Sequence, residues 1–160
     1  MRIAMNGFGR IGRCVARMFA EDETVELVAI NDPGDHDQLV HLLRYDSAHG
    51  RCLEAERTSE GFRLGRQSPR LLAEYEPSKL PWKELNIDVV LECSGRFTTR
   101  EMAAKHLDAG AERVVISAPG KNADATIVFG INQHLVTSDR RVLSNASCTT
   151  NCLAPVVKVL

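Results

Sequence analysis

Short apolar runs of strand length recur along this chain, and several are followed by segments whose apolar residues are spaced for a helix. The runs at residues 2–6, 25–30, 87–93 and 113–117 carry few polar interruptions, as strands covered on both faces do. Two further strands are expected at 125–130 and 141–144. Helical spacing appears at 14–20, 37–44 and 100–109. In the last of these, Thr99 can cap the helix, Glu101 puts an acid in the first turn and Gly110 stops it. Strands alternating with helices of this length predict an α/β domain with a doubly wound, mostly parallel sheet. Residues 52–75 break the rhythm, alternating loosely around Gly61 and Gly65, and predict short antiparallel strands inserted into it. Pro33-Gly34-Asp35 and Glu76-Pro77-Ser78 are turn chemistry. Trp82 reads as a packed core aromatic and not as a stacking platform. No solenoid-period repeat or low-complexity linker interrupts the chain.

The first strand runs directly into Asn6-Gly7-Phe8-Gly9-Arg10-Ile11-Gly12 and then into the helical spacing. In a dinucleotide-binding unit the first glycine makes the tight turn, the second lets backbone approach a pyrophosphate, and the third lets helix and strand pack closely. The phosphates then meet unpaired N–H groups at the helix start. A glycine turn alone can be an ordinary strand-to-helix connection. Here the second apolar run ends at Asn31-Asp32, and Asp32 lies about twenty residues past Gly12, the distance expected of a carboxylate on the ribose hydroxyls. Ser94 to Thr98 follow the third run at its carboxyl end, where open α/β sheets bind ligands.

The 160 residues suffice for one domain with a sizeable core and hardly for two. Twenty basic and twenty-one acidic residues give no field that would attract nucleic acid or a membrane surface. No apolar run approaches the roughly twenty residues of a spanning helix, and the first residues are not those of an export signal. The five cysteines are odd in number and lack zinc spacing, so no metal site is expected and the chain reads as reduced and cytoplasmic, most thiols being buried and free. His49, beside Asp46 and Ser47, is a ligand or base on one reading and a loop residue satisfying backbone on the other; the second is preferred.

Residues 144–152, Ser-Asn-Ala-Ser-Cys-Thr-Thr-Asn-Cys, follow a strand and precede an apolar segment, placing Cys148 near a helix N-terminus. There the dipole and unpaired N–H groups favour the nucleophilic thiolate. From chemistry alone Cys148 is either such a nucleophile or an inert thiol. Cys152, one turn later, is expected to be a small buried apolar residue. Pro155 inside that helix should remove one backbone hydrogen bond.

Taken together, residues 6–12, 45–51, 90–95, 117–121 and 144–152 resemble the phosphorylating glyceraldehyde-3-phosphate dehydrogenase family, with erythrose-4-phosphate dehydrogenase as a close relative. The resemblance covers the whole chain and implies a Rossmann NAD-binding domain over residues 1–148, with 149–160 beginning a catalytic-domain helix that is cut short. It implies NAD-dependent oxidation of a sugar-phosphate aldehyde through a Cys148 thioester, with hydride passing to the nicotinamide and inorganic phosphate releasing the product. Residue by residue, it implies that Asn6, Gly7, Phe8, Gly9, Arg10, Ile11 and Gly12 form the cofactor turn. Arg10 and Ile11 would meet the pyrophosphate through their backbone. Asn31 and Asp32 would stand at the ribose, where the carboxylate favours NAD over NADP. Gly95 and Phe97 would wall the adenine, and Ser117 would lie near the cofactor ribose. Ser147, Cys148 and Thr149 would contact substrate, with the Cys148 N–H as oxyanion donor. Tyr75 stands where relatives commonly have arginine, and Cys14 where many carry another residue. Relatives continue for roughly as many residues again, and that part would supply the activating histidine, the substrate-phosphate arginines and an asparagine for the nicotinamide. None of His36, His41, His49, His106 and His134 matches that base. The enzyme is expected to be a homotetramer without nucleic-acid or membrane partners, and the chain alone to be inactive. Ser117-Ala118-Pro119 leans toward the triose-phosphate enzyme. A non-catalytic nucleotide-binding or redox module is the reading of a different class.

Overall fold

The computed structural model describes residues 1–52 and 54–160; Leu53, within the stretch expected to hold antiparallel strands, lies outside the described residues. In chain order the elements are β1 (Arg2–Asn6), α1 (Arg10–Phe19), β2 (Glu26–Asn31), α2 (His36–Arg44), β3 (Tyr45–Asp46), β4 (Gly50–Arg51), β5 (Glu56–Arg57), β6 (Phe62–Arg63) and β7 (Arg70–Leu72). They continue with β8 (Val89–Glu92), α3 (Arg100–Ala103), α4 (Lys105–Asp108), β9 (Arg113–Ile116), β10 (Ala125–Thr126), β11 (Val142–Ser144) and α5 (Cys148–Val159).

Seven strands make one parallel sheet in the order β10-β11-β9-β8-β1-β2-β7, while β3 pairs antiparallel with β4 and β5 with β6. The alternation of β1 explains the two layers around the sheet. Ile3 and Met5 enter one core with Phe8, Leu27, Ile30 and Phe62. Ala4 faces the other way, toward Trp82, Val90, Val114 and Ile116. From β1 the chain builds β2 and β7 on one side and then returns to build β8, β9, β11 and β10 on the other. The reversal between β1 and β8 is the topological switch point, and it opens a crevice at their carboxyl ends.

The doubly wound parallel sheet agrees with the expectation from the sequence, and the local departures have identifiable causes. Residues 56–63 form the expected antiparallel pair. Residues 70–72 instead join the main sheet parallel to β2, with Ile30 opposite Leu71. The strand expected over 125–130 stops at Thr126. Asn132 takes over the backbone groups there, Oδ1 accepting from Val128 N at 2.7 Å and Nδ2 donating to Thr126 O at 2.9 Å. Phe129 is thereby turned outward, 84% exposed. The helix expected over 100–109 tightens at Ala104, where Leu107 N bonds to the carbonyl three residues back, and divides into α3 and α4. Thr99 caps it as expected, Oγ1 accepting from Met102 N.

The thiols depart further. All five cysteines are free, but Cys14, Cys52 and Cys93 are half-buried and Cys148 and Cys152 exposed. The expected burial of Cys152 fails because α5 has no buried side chain, and Leu153, Val156 and Val157 are exposed beside it.

Gly12 packs α1 onto β1 so tightly that a Cβ would lie 2.4 Å from Gly7 O and 2.9 Å from Met5 Sδ. Alanine in a helix normally gains up to ~1 kcal/mol over glycine. Backbone overlap outweighs that gain here. Urea denaturation should show Gly12→Ala destabilised by about 1–3 kcal/mol, and Gly9→Ala, whose Cβ meets nothing within 4 Å, changed by no more than about 0.5 kcal/mol.

Candidate functional site

The crevice at the β1/β8 switch point encloses about 220 Å³. Its rim is made by Gly7 and Gly9 on one side, Asp32 and Pro33 on the second, and Ser94, Arg96 and Phe97 on the third. Gly7 N donates to Asn31 O at 2.8 Å and Phe8 N to Asp32 Oδ2 at 2.7 Å, so the glycine turn is tied to the end of β2. Asp32 Oδ1 accepts from Gly34 N at 2.8 Å, which fixes the carboxylate plane and leaves further lone pairs for hydroxyl donors. Gly9 is the N-cap of α1 and supplies no side-chain cap. Among the described residues no acceptor reaches the N–H groups of Arg10, Ile11 or Gly12. Arg13 NH1 donates to Phe8 O at 2.8 Å, and burial pulls its guanidinium below the usual range against the opposing pull of Asp46 and Asp32.

Beneath the crevice lies a buried polar network. Asn31, Asn6 and Glu92 are the last residues of three adjacent strands and stand opposite one another in register. Asn31 Nδ2 donates to Asn6 Oδ1 at 2.7 Å, and Asn6 Nδ2 to Glu92 Oε2 at 2.6 Å. Asn31 also brackets the backbone of Glu74, donating to its carbonyl and accepting from its N–H, both at 2.8 Å. The Glu92 carboxylate further accepts from the N–H and hydroxyl of Ser94 and sits 3.0 Å from His106 Nε2. Trp82 Nε1–H can only donate, and it does so to His106 Nδ1 at 3.0 Å, so His106 carries its proton on Nε2 and donates it to Glu92. Trp82, His106 and Glu92 are at most 1% exposed. Phe97 meets the edge of His106, ring centroids 6.2 Å apart, so the network also backs the crevice wall.

The sequence-predicted cofactor residues therefore divide by position. The backbones of Gly9, Arg10 and Ile11 are free to meet a ligand, Gly12 is buried behind them, and Asp32 and Phe97 line the crevice. Asn6 and Asn31 spend their side chains on the floor. Phe8 turns its ring into the core against Phe62, centroids 5.5 Å apart. Gly95 turns the chain at the rim with φ +71°. Ser117 follows β9 and donates its N–H to Glu92 O at 3.0 Å, and its side chain favours the thiolate of neighbouring Cys93. Burial, and secondarily Glu92, push that thiol up to about 11 against the pull of Ser117. Tyr75 also lines the crevice, 72% exposed. Glu92 and His106 had no part in the sequence-based site, and Ser94 entered it only as the start of the ligand-facing stretch 94–98. The one available signal was Glu92 itself, an acid in an otherwise apolar strand; nothing local linked it to a histidine fourteen residues away.

Cys148 is the first residue of α5, on the same carboxyl edge of the sheet. The turn leading to it is strained: Ala146 has φ +58°, a conformation a residue with Cβ seldom adopts. Buried Ser144 braces it, its hydroxyl donating to Ala118 O and accepting from Gly120 N and Ala146 N at 2.8–3.1 Å. Ser147 caps α5, Oγ accepting from Thr150 N at 3.0 Å and bonding the hydroxyls of Thr149 and Thr150. The N–H groups of Cys148 and Thr149 have no acceptor among the described residues, and no side chain bonds Cys148 Sγ. Pro155 lies within α5 without ending it.

A parallel sheet reversing at β1, a glycine turn with free helix N–H groups and a carboxylate at the end of β2 define a dinucleotide-binding domain of the Rossmann type. Residues 1–100 match the family model of the glyceraldehyde 3-phosphate dehydrogenase NAD binding domain, and the chain belongs to that family. It is 50% identical to the glyceraldehyde-3-phosphate dehydrogenase of Pseudomonas aeruginosa, with all of this chain and 49% of the relative covered. With that of Geobacillus stearothermophilus the identity is 52%, over all of this chain and 48% of the relative. The chain thus spans about half the length of the curated relatives it matches. NAD is the cofactor of this domain. The residues present suit it, since space at Gly9, the free N–H groups of Arg10 and Ile11 and the Asp32 carboxylate offer the backbone approach, anion site and hydroxyl acceptor that it needs. Among the described residues no helix is long and apolar enough to cross a membrane.

Replacing His106 by leucine should leave Trp82 Nε1–H unpaired and the buried Glu92 carboxylate short of a donor. The expected loss in urea denaturation is about 2–5 kcal/mol, the cost of two buried polar groups left short of a partner. Lys105→Ala, which breaks the partly exposed pair with Glu76, should cost no more than about 1 kcal/mol.

Proposed function

We propose that this chain is the NAD-binding half of a phosphorylating glyceraldehyde-3-phosphate dehydrogenase, with residues 1–148 as the cofactor domain and 149–160 opening the catalytic domain. The observation that carries the reading is Cys148, exposed at the first position of α5 on the sheet edge where the crevice opens. In this reading the N–H groups of Arg10 and Ile11 hold the pyrophosphate and Asp32 accepts from the ribose. Gly95 and Phe97 flank the adenine, with Ser117 near the cofactor ribose. Asn6, Gly7, Phe8, Gly12 and Asn31 shape the turn from behind.

The chemistry starts at sulfur. Cys148 Sγ bonds the aldehyde carbon of the sugar phosphate, and the Cys148 N–H stabilises the oxyanion that forms. Ser147 and Thr149 flank the bound aldehyde. NAD, when bound, accepts the hydride that this carbon loses. The resulting acyl group is held on Cys148 as a thioester until inorganic phosphate attacks its carbon and expels the thiolate. A histidine base and anion-binding arginines are assigned to the remainder of the enzyme. The exposed apolar side chains of α5 are read as surface that the remainder covers. The whole enzyme is read as a cytoplasmic homotetramer, consistent with five free thiols.

Calorimetric titration of the chain tests the cofactor assignment. Saturable NAD binding is expected, with NADP weaker because its 2′-phosphate meets the Asp32 carboxylate. Asp32→Ala should weaken NAD about tenfold or more, the scale of a lost hydrogen bond to a charged group. Equal affinity for the two cofactors, or an unaffected variant, refutes the role of Asp32. With glyceraldehyde-3-phosphate, phosphate and NAD, the chain alone should form negligible NADH, since the acid–base contribution is absent. Clear turnover would show that the base lies within these residues.

A further inference from the structure

Away from the crevice, one cluster sets a nucleophile, a base and an acid in line. Cys14 is a half-buried thiol on α1. Across from it, the loop between β3 and β4 presents His49, whose Nε2 is 4.0 Å from Cys14 Sγ. The other ring nitrogen, Nδ1, is 3.2 Å from Asp46 Oδ1. The same carboxylate oxygen accepts from the N–H groups of Ala48 and His49, each at 2.8 Å. Those two backbone donors, that of His49 foremost, hold the Asp46 carboxyl down at about 2, so near neutral pH it is an acceptor only.

An acceptor-only partner decides which nitrogen bears the proton. Nδ1 must carry hydrogen to bond Asp46, which leaves the lone pair of neutral imidazole on Nε2, facing the Cys14 thiol. The loop is not left to find this position by its ring alone. Arg17, three residues beyond Cys14 on the same helix, donates to His49 O at 3.2 Å, to Gly50 O at 3.0 Å and to Leu43 O. It pins the loop backbone against α1. Arg13, adjacent to Cys14 in sequence, adds a second guanidinium close enough to feel Asp46. The other thiols lack this company: burial keeps Cys93 protonated, and no side chain bonds Cys152 among the described residues.

We propose that Cys14, His49 and Asp46 form a second reactive-thiol site, independent of the cofactor crevice and of Cys148, at which hydroperoxides oxidise Cys14 to sulfenic acid. Cys14 Sγ attacks one peroxide oxygen, forming the S–O bond as the O–O bond breaks. His49 Nε2 takes the thiol proton and delivers it to the departing oxygen, which leaves as water or an alcohol. Sulfur gives up two electrons and the peroxide receives them, so no further reductant is needed. Asp46 holds the ring in the required tautomer and offsets the charge that it transiently carries.

The test exposes the chain to limiting hydrogen peroxide with dimedone present and quantifies the adduct on each cysteine-containing peptide by mass spectrometry. Cys14 should be labelled faster than Cys152, which is exposed but unpartnered, and about a hundredfold faster in the folded chain than in urea, the lower end of what a positioned base contributes. His49→Gln, an exposed substitution checked for folding by circular dichroism, should remove most of that advantage without altering Cys152. Labelling of Cys14 no faster than Cys152, no faster folded than unfolded, or unchanged in a folded His49→Gln chain would overturn the assignment.

Discussion

Gly7 is where three segments of the chain converge with no room for a side chain. Its N–H is bonded to the end of β2, a Cβ would lie 2.4 Å from Ser94 N beyond β8, and its carbonyl fills the space a Cβ on Gly12 would need. Its φ of +94° suits glycine for a second reason. Because β1, β8 and α1 are set by this single approach, the crevice between them takes its width from backbone contacts. Side-chain rotamers have little say in it. The free N–H groups at the start of α1 therefore point to a place decided by main-chain packing.

The floor network answers a problem that the same geometry creates. Asn6, Asn31 and Glu92 end three adjacent strands, so their polar groups are buried together directly under the ligand crevice. Buried polar groups are costly unless each finds partners, and a satisfied network fixes one arrangement. Here the partners come from every side: Ser94 from the rim, Glu74 from beyond β7, His106 from α4 and, through it, Trp82 from the far core. The polar interior thus joins both sides of the sheet reversal and stiffens the wall that carries Phe97.

Much of this was legible in the sequence, because its periodicities report burial on both faces of a sheet and its glycines report close approach. The parallel order, the glycine turn, Asp32 at the end of β2 and Cys148 at a helix start all follow from such local signals. What escaped depends on contacts distant in sequence. Asn132 ending β10 early and β7 joining the main sheet could not be seen from a loosely alternating pattern. Asn6 and Asn31, expected at the cofactor, do line the crevice; that their side chains also face one another is shown only by the register of three strands. Cys152 looked like a core residue because its helix is apolar, yet composition alone cannot say whether an apolar face is covered.

Trp82 is the chain's single tryptophan, and its indole N–H ends a hydrogen-bonded path that runs through His106 and Glu92 to the backbone of Ser94 at the crevice rim. Indole emission is sensitive to the hydrogen bonding and polarity around its ring. The fold has therefore wired its one indole to the floor of the nucleotide crevice, and light collected from the far side of the sheet carries information about how that floor is held.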